Sequence, residues 1–353
     1  MIDLFYPYVP REAIEEVVDT LHSRFVGQGP RVEQFEKDFC NLFGVRYAVS
    51  LNSGTSALET AYDLIGLKED DEVITTPLTC TATNLPLVRR KCKIVWADID
   101  ENTLCISPKD VEFKTTPNTK AIVQVHLGGI KSMVQYSEAP IVSDACQALG
   151  IFSGDYSCFS FQAIKHITTG DGGMLVVHSE RQRNEAKLLR WFGIDRDKKI
   201  KNDWQAYKER RMTFDIKFPG MKRHMTDIAA AMGIAGLKHY EDIISHRQNI
   251  FGIYKNGLQG IDGIRLVDGI ENTYWLATVI VERRDDFAKM MFAEDIDTNM
   301  VQVRNDIYKI FGGRRAELPI MNELEDKYIS IPLNMKVTED DANFIVSKIK
   351  GGW

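Results

Sequence analysis

The stretch LNSGTSALETAYDLIG, residues 51–66, contains the strand–turn–helix junction from which we predict the fold. A strand ends at Asn52, the turn carries Gly54, and a helix starts at about Thr55. The apolar residues that follow at helical spacing are Ala57, Leu58, Ala61 and Leu64. Free backbone amides and hydroxyls at such a helix start form a site for a phosphate group, although an ordinary helix cap explains the same residues.

Short apolar runs alternate with helical or loop segments around this junction. The candidate strands are residues 47–51, 72–75, 93–97, 121–125, 141–143, 158–161 and 174–177. One such run alone could be a buried helix segment, but seven in this order indicate strands. Because most runs are apolar on both faces, we predict an α/β fold in which helices cover both faces of a mostly parallel, seven-stranded sheet.

The remaining segments predict helices at both ends of the chain and a second, smaller domain. Helical patterns occupy residues 11–23 and 31–44, and a long helical stretch runs from a cap at Thr226 through Ile243. Strand-like alternation at 274–282 and helical patterns at 284–296 and 338–350 follow. We therefore place a large domain at residues 1–240 and a smaller α+β domain at residues 241–353.

Composition excludes several classes of partner. The 353 residues carry a formal net charge of −6, which does not suit a surface that binds nucleic acid. Short basic runs, at residues 89–91 and 198–201, are expected to be solvated faces or mobile loops. Since the chain shows neither an apolar run of membrane-spanning length nor the features of a signal peptide, we expect a cytoplasmic protein.

Cysteines and histidines give no sign of a metal site. The six cysteines are scattered without a CxxC pair, which favours free thiols in a reducing compartment. The seven histidines show no HExxH spacing. We therefore expect no metal ion.

The segment IVSDACQALG, residues 141–150, places Asp144 just past a short apolar strand. In open α/β sheets, ligands bind beyond the carboxyl ends of the strands. A carboxylate there can bind a metal, accept a proton from a heterocycle or simply cap a helix.

The segment SFQAIKHITTGDGG, residues 160–173, places Lys165 shortly after another strand. A lysine in such a loop is commonly solvated. An amine held in an apolar, desolvated pocket has a lowered pKa, however, and can attack a carbonyl as the neutral form. The TTGDGG run that follows allows tight backbone turns around whatever the lysine contacts.

Together, these three segments supply the contacts that pyridoxal 5'-phosphate (PLP) requires. The lysine would hold its aldehyde, the acid would keep its ring nitrogen protonated, and the helix start would bind its phosphate. A fourth segment, residues 218–233, has three basic residues in a row, Lys222, Arg223 and His224, just before a helix. Such a run suits an anion, or forms a solvated basic turn.

At this point the sequence closely resembles the DegT/DnrJ/EryC1/StrS family of PLP-dependent sugar aminotransferases, which have the aspartate aminotransferase fold (fold type I). The resemblance covers nearly the whole chain. The segments that carry it are FVGQGPRVEQFEKDF, NSGTSAL, DEVITTPLTCTAT, VWADIDENTLCI, SDACQALG, SFQAIKHITTGDGG, MTDIAAAMG and YISIPLNMKVTEDD.

The resemblance implies a role for each matched residue. Lys165 would form the Schiff base with PLP and move the proton between substrate and cofactor carbons, and Asp144 would pair with the pyridine nitrogen. Gln147 would bond to the phenolic oxygen of the cofactor. The residues implied to hold the phosphate are Gly54, Thr55 and Ser160. Family members are usually homodimers with shared active sites, in which a residue, commonly Asn, reaches the phosphate of the partner; Lys222 stands at that position.

One further departure and two alternatives follow from the same resemblance. Many members have an aromatic residue stacked on the cofactor ring where this chain has Cys80. A related branch replaces the lysine with histidine and removes a sugar hydroxyl, but Lys165 favours transamination, and His166 alone does not reverse that choice. A non-catalytic protein keeping the fold would be expected to lose Lys165 or Asp144.

The reaction implied is transfer of an amino group from L-glutamate to a nucleotide-linked ketosugar. The candidates for binding nucleotide, sugar or carboxylate are Arg190, Trp191, Arg196, His224, Arg304 and Asn305, each of which could equally be structural. Residues 190–196 and 301–306 resemble segments of 4-ketosugar aminotransferases, so C4 of a deoxy sugar is the preferred target. Amination of another cyclic ketone, such as a keto-inositol, is the alternative within the same chemistry.

Overall fold

The computed structural model describes residues 1–135, 138–195 and 216–353. Seven strands form the main sheet: β1 (Tyr47–Leu51), β2 (Glu72–Thr75), β3 (Lys93–Trp96), β4 (Thr119–Val125), β5 (Ile141–Asp144), β6 (Tyr156–Ser160) and β7 (Gly173–Val177). Each of the seven predicted strands is present, and the bounds differ by at most two residues.

The sheet has the strand order β1-β7-β6-β5-β4-β2-β3. All neighbouring pairs are parallel except the two that involve β7. Because β7 runs against both β1 and β6, those two strands share the direction of β5. The carboxyl ends of β1, β5 and β6 therefore lie at one edge of the sheet, and the prediction of a mostly parallel, seven-stranded α/β sheet is confirmed.

Helices surround this sheet and a second one. They are α1 (Arg11–His22), α2 (Pro30–Phe43), α3 (Gly54–Ile65), α4 (Thr81–Arg89), α5 (Pro108–Lys114), α6 (Glu180–Leu189), α7 (Asp227–Leu237), α8 (Tyr240–Gly257), α9 (Arg284–Ala293), α10 (Pro319–Leu324) and α11 (Glu339–Lys350). Short 3₁₀ turns lie at Leu127–Gly129, Asn305–Ile307 and Lys309–Phe311. No helix in the described ranges combines the length and the apolar content that crossing a bilayer requires.

Helices bury apolar side chains on both faces of the main sheet. On one face, Phe35 and Phe39 of α2 pack into the core with Phe159 of β6. On the other face, Leu58 and Tyr62 of α3 are fully buried. The central strands are therefore shielded from water on both sides, as their apolar sequences predict.

Asp227, at the start of α7, fixes the start of α2. Its Oδ1 accepts hydrogen bonds from the backbone N–H groups of Gly29 (2.7 Å) and Val32 (3.0 Å). Since the first N–H groups of a helix have no partner within it, this buried carboxylate satisfies them and suits the positive end of the helix dipole. It thereby joins the two helices across 195 residues of sequence.

A second sheet, of three antiparallel strands, lies in the C-terminal part of the chain. Its order is β10 (Tyr328–Ile331), β9 (Ala277–Val281) and β8 (Ile264–Leu266). It shares a separate apolar core with α8, α9 and α11, which includes Phe251, Phe287 and Ile345. The sequence analysis did not identify β8 or β10, and the division at residue 240 stays a prediction.

The prediction of one continuous helical stretch after Thr226 was wrong. The stretch from Thr226 through Ile243 is two helices, α7 and α8, interrupted at Lys238 and His239. The apolar period continues across the interruption, so the sequence pattern alone did not reveal it. Gly236, two residues before it, packs so closely that a Cβ would lie 2.5 Å from Ile167, which explains a helix-weakening residue at this point.

Candidate active site

The residues after three strands of the main sheet converge at its carboxyl edge. Gly54 follows β1, Ser160 ends β6, and Cys146 follows β5. A Cβ built on Gly54 would lie 2.7 Å from the Cys146 sulfur and 2.8 Å from the Ser160 Cβ. Since a real side chain does not tolerate such contacts, glycine is required here, and it keeps the start of α3 against the ends of β5 and β6.

The start of α3 has the free backbone amides that the sequence predicts. Ser53 caps the helix, and its hydroxyl accepts a hydrogen bond from the Ser56 N–H at 3.1 Å. Gly54 and Thr55 are the first two helical residues. Their N–H groups need no intrahelical acceptor and lie beside Ser160, so the arrangement fits a bound phosphate.

Asp144, the last residue of β5, is buried and held at both carboxylate oxygens. Thr83 in α4 donates its hydroxyl to Oδ2 at 2.6 Å, and the Cys146 N–H donates to Oδ1 at 3.1 Å. The Thr83 hydroxyl is also 2.8 Å from that of Thr79. These contacts fix the orientation of the carboxylate. Sequence reasoning missed Thr83, which lies 61 residues before Asp144 in the chain.

Lys165 is half-buried, with its Nζ 3.6 Å from the centroid of the Trp275 ring. Burial lowers the pKa of this amine to about 8, although Cys146, Asp144 and Cys80 oppose the shift. An amine with this pKa is neutral in a useful fraction of molecules near pH 7, as an attacking or proton-transferring amine requires. Sequence reasoning missed Trp275, which lies 110 residues farther along the chain.

Gln147 is buried near the same edge. Its Oε1 accepts a hydrogen bond from the Gly128 N–H at 2.8 Å. Because this bond fixes which end of the amide accepts, the Nε2 group is the donor that the side chain can offer to another oxygen.

One cavity found in the described residues is lined by none of these groups. It has a volume of about 1160 Å³ and is lined by Thr119 and Pro140, at the amino ends of β4 and β5. The converging groups lie at the carboxyl ends, where ligands bind in open α/β sheets. We therefore assign the candidate site by its chemistry. No cluster of His, Cys, Asp and Glu suited to a metal ion occurs in the described ranges.

Comparison with known proteins gives this site a family. Residues 7–350 match the model of the DegT/DnrJ/EryC1/StrS aminotransferase family. The chain belongs to this family. The spore coat polysaccharide biosynthesis protein SpsC of Bacillus subtilis is 32% identical, over 98% of this chain and 95% of that protein.

Solved structures agree with this assignment. The sugar aminotransferase CalS13 of Micromonospora echinospora is 28% identical, covers 100% of both chains and has a TM-score of 0.92. Spr1654 of Streptococcus pneumoniae, solved in its PLP form, is 25% identical, with a TM-score of 0.89 over 99% of this chain and 98% of that one. The prediction of a PLP-dependent sugar aminotransferase of fold type I is confirmed.

The residues present fit PLP. A phosphate fits the start of α3, which the missing side chain of Gly54 leaves close to Ser160. A buried, oriented carboxylate at Asp144 suits a protonated ring nitrogen, and Lys165 offers a desolvated amine to an aldehyde. Cys80, at the start of α4, is exposed, and the roles of the individual residues remain predictions.

The basic run before α7 divides into different environments. Lys222 is exposed and pairs through its backbone with Trp191. The Arg223 guanidinium forms ion pairs with Asp63 (2.7 Å) and Glu59 (3.1 Å) of α3, so its charge is already compensated. Its carbonyl accepts from the Asn52 N–H at 2.7 Å, which places the run beside the start of α3.

The other candidate substrate-binding residues have mostly structural contacts. Arg190 is buried and pairs with Glu36 at 2.5 Å. Arg304 donates two parallel hydrogen bonds to Asp306, at 2.7 and 2.6 Å. The buried Asn305 donates to the Thr79 carbonyl at 2.7 Å. The His224 ring contacts Trp191 edge-on, and Arg196 lies outside the described residues.

Proposed function

We propose that this aminotransferase moves an amino group from L-glutamate to a ketosugar carried on a nucleotide (dTDP, GDP or UDP). We further propose C4 of a 4-keto-6-deoxy sugar as the acceptor carbon. The observation that carries the proposal is the convergence of an α-helix start, the Asp144 carboxylate and the Lys165 amine at one edge of the sheet. The similarity to SpsC, a spore coat polysaccharide biosynthesis protein, and to CalS13, a sugar aminotransferase, supports a sugar as the acceptor.

Each residue in the proposed site has one task. PLP, when bound, supplies an electron-accepting ring that stabilises negative charge at the substrate carbon. Asp144 holds a proton at the pyridine nitrogen, and Thr83 keeps its carboxylate in place. Lys165 Nζ accepts and returns a proton, for which a pKa of about 8 is well matched to neutral pH. Gln147 Nε2 donates to the phenolic oxygen.

The phosphate contacts anchor the cofactor while its ring reacts. Gly54 and Thr55 offer backbone N–H groups, and Ser160 offers its hydroxyl. We also propose a homodimer in which the exposed Lys222 of one protomer reaches the phosphate bound by its partner. Arg190, Arg304 and Asn305 bond to other groups of the protein, so we do not assign them to the sugar or the nucleotide.

Borohydride reduction tests the central assignment. Reduction of the PLP-loaded enzyme fixes the cofactor covalently to the reactive lysine, and peptide mass mapping then locates it. We expect the added mass on the peptide that contains Lys165, no fixed cofactor in Lys165→Ala, and normal labelling in the control Lys120→Ala. Cofactor fixed to another lysine would refute the assignment.

A substrate panel tests the acceptor. The PLP-loaded enzyme is supplied with L-glutamate and a set of nucleotide-linked 3-ketosugars and 4-ketosugars, with a keto-inositol as the competing ketone. Formation of 2-oxoglutarate and of aminated sugar is then measured. We expect turnover with a 4-ketosugar; turnover only with a 3-ketosugar or only with the keto-inositol would contradict the proposed acceptor.

Mixing experiments test the shared site. Lys165→Ala and Lys222→Ala chains are each inactive or weak as separate preparations under this proposal. Co-refolded mixtures should recover activity, because one site of each mixed dimer contains both native residues. A mixture no more active than its two components would place the site within one chain.

A further inference from the structure

The ring of Trp275 faces the amine of Lys165. The Nζ atom lies 3.6 Å from the ring centroid, within the range where an ammonium group is attracted to the electron-rich face of an indole. Trp275 is 1% exposed, so this attraction acts in a desolvated environment. Nothing in the known sequence motifs of the site led to this residue.

The segment 273–275 also holds both neighbours of Lys165. The Trp275 Nε1–H donates to the Ile164 carbonyl at 2.9 Å. On the other side, His166 Nε2 is 2.7 Å from the Thr273 carbonyl. Because a carbonyl only accepts, the histidine must donate from Nε2. Both neighbours of Lys165 are therefore held by the segment 273–275, and the Trp275 ring contacts the Lys165 amine between them.

Trp275 itself is held firmly. Its ring stacks on Phe5 with centroids 5.8 Å apart, and its carbonyl accepts from the buried Arg247 guanidinium at 3.2 Å. A Cβ built on Gly129 would lie 2.8 Å from the Trp275 N atom, so this loop packs tightly against the segment. The ring is thus a fixed surface against which the amine of Lys165 lies.

We propose that Trp275 is a positioning residue that receives the ammonium group of Lys165 whenever the lysine is not covalently bound to the cofactor. The proposal rests on the proposed function, because transamination releases the lysine from PLP in each half-reaction. A released amine needs a counterpart in a pocket that excludes water. A ring face attracts the cation without a directed hydrogen bond and without accepting its proton, so the amine can return to the cofactor.

The charges around Lys165 favour this role. Asp144 at the end of β5, Cys146 just beyond it and Cys80 at the start of α4 all raise the pKa of the amine and so favour its charged form. Asp144 is already engaged by Thr83 and by the Cys146 N–H. Burial lowers the pKa of the neighbouring His166 to about 3, helped by Arg247, so the histidine is neutral and places no second positive charge beside the amine.

The pH dependence of cofactor uptake tests the proposal. When cofactor-free enzyme takes up PLP, the neutral Nζ attacks the aldehyde carbon, a C=N bond forms and water leaves. The uptake rate therefore reports the pKa of Lys165. In Trp275→Leu the ring attraction for the charged form is lost while the site remains apolar, so we expect this pKa to fall by roughly half a unit or more. Trp275→Phe, which keeps a weaker ring, should show a smaller fall.

A second tryptophan provides the matched control. Trp353 also donates its Nε1–H to a backbone carbonyl, that of Glu282 at 2.7 Å, and packs in the C-terminal core. Trp353→Leu should leave the pKa of uptake unchanged. An unchanged pKa in Trp275→Leu would overturn the proposal. A raised pKa would also overturn it, because the ring would then act only by excluding water.

Ultraviolet difference titration decides the matter if Trp275→Leu does not fold. Native cofactor-free enzyme should show an indole signal with a midpoint near pH 8, as Lys165 gains its charge over the ring. The signal should be absent in Lys165→Met. An identical titration in both proteins would refute the contact. Failure of the proposed function appears separately, as borohydride labelling of a residue other than Lys165 in the native enzyme.

Discussion

Asp144 and Lys165 meet at one site but are held in opposite ways. The carboxylate of Asp144 is fixed by directed hydrogen bonds from Thr83 and the Cys146 N–H, all within the region of the main sheet. The amine of Lys165 has a ring face as its neighbour, supplied by a segment that leads into the second sheet. Directed bonds resist displacement, whereas a ring face attracts a cation over a range of positions.

This difference matches what each group has to do. Asp144 has one task at one atom, the pyridine nitrogen, and gains from being immobile. Lys165 has to bind the cofactor, leave it, and carry a proton. The comparison therefore predicts that changes to the hydrogen bonds that hold Asp144, with its charge retained, reduce turnover and leave the pKa of Lys165 unchanged. Changes near Lys165 should act on its ionisation and on cofactor uptake.

Removal of the Asp144 carboxylate should have the largest effect. Asp144→Ala leaves the phosphate site and Lys165 intact, so PLP should still bind, but the ring loses the charge that keeps its nitrogen protonated. We expect turnover to fall on the order of 10²- to 10³-fold, measured as single-turnover rates with L-glutamate. Asp155→Ala is the control, because Asp155 precedes β6 and its carboxylate accepts from the Ile141 N–H at the amino end of β5. Near-native turnover in Asp144→Ala would contradict the role.

Gly129→Ala tests whether the packing of the loop against Trp275 and Tyr274 supports Lys165. Gly129 has a φ of +101°, and a Cβ there would meet the backbone N atoms of Trp275 (2.8 Å) and Tyr274 (2.9 Å). Strain and overlap should reduce the free energy of unfolding by about 2 kcal/mol or more, measured by urea denaturation.

The same variant should slow PLP uptake, because the displaced segment holds Trp275. Gly66→Ala is the matched control, since Gly66 also has a positive φ (+77°) but a Cβ there meets nothing within 4 Å. Equal effects of the two substitutions on uptake would mean that backbone strain alone accounts for the result.

Thr83→Val tests one of the hydrogen bonds that hold Asp144 and should reduce turnover less than Asp144→Ala. The substitution keeps the shape of the side chain but removes the hydroxyl that donates to Asp144 Oδ2. We expect turnover to fall about tenfold, as the loss of one hydrogen bond to a charged group predicts, with the pKa of PLP uptake unchanged. Thr20→Val, which removes a buried hydroxyl in α1, should not alter turnover. A shifted pKa of uptake in Thr83→Val would break the proposed separation between the two sides.

The sequence predicted the main sheet well because its signals are local. Apolar runs, the Gly54 turn and the cap at Thr226 depend on neighbouring residues, and the structure contains all of them. The break after Leu237 was missed because the apolar period continues across it. The short β8 (Ile264–Leu266) was missed because only one neighbouring strand, β9, makes it a strand.

The candidate site shows the same division. Asp144, Gly54 and Ser160 follow strands whose ends a parallel sheet brings together, so their convergence could be predicted from topology. Thr83 and Trp275 were missed because their contacts are set by tertiary packing, across 61 residues for Thr83 and Asp144. The ion pairs that engage Arg190 and Arg304 are likewise invisible in the sequence, which shows only that these residues can bind anions.

His166→Gln offers the smallest and most specific test. The buried imidazole of His166 has a pKa of about 3, well below its usual range, because burial disfavours the charged form and Arg247 and Lys165 repel it. The unfolded chain therefore binds a proton on this imidazole at about pH 6.5, whereas the folded chain binds it only near pH 3. Stability from this group is present above pH 6.5 and is lost as the pH falls toward 3, by up to about 1.4 kcal/mol per pH unit.

Glutamine keeps a donor for the Thr273 carbonyl but does not titrate, so His166→Gln should unfold with a flatter dependence on pH between 4 and 6.5. Urea denaturation of both proteins, saturated with PLP, measures this slope. His126→Gln is the matched comparison, because burial also lowers the pKa of His126 to about 3 and its ring bonds to Ser153 away from the lysine. Both variants should flatten the slope, but only His166→Gln should change PLP uptake, since only His166 flanks Lys165. An equal change of PLP uptake in both variants would mean that the contacts of His166 have no specific effect on Lys165.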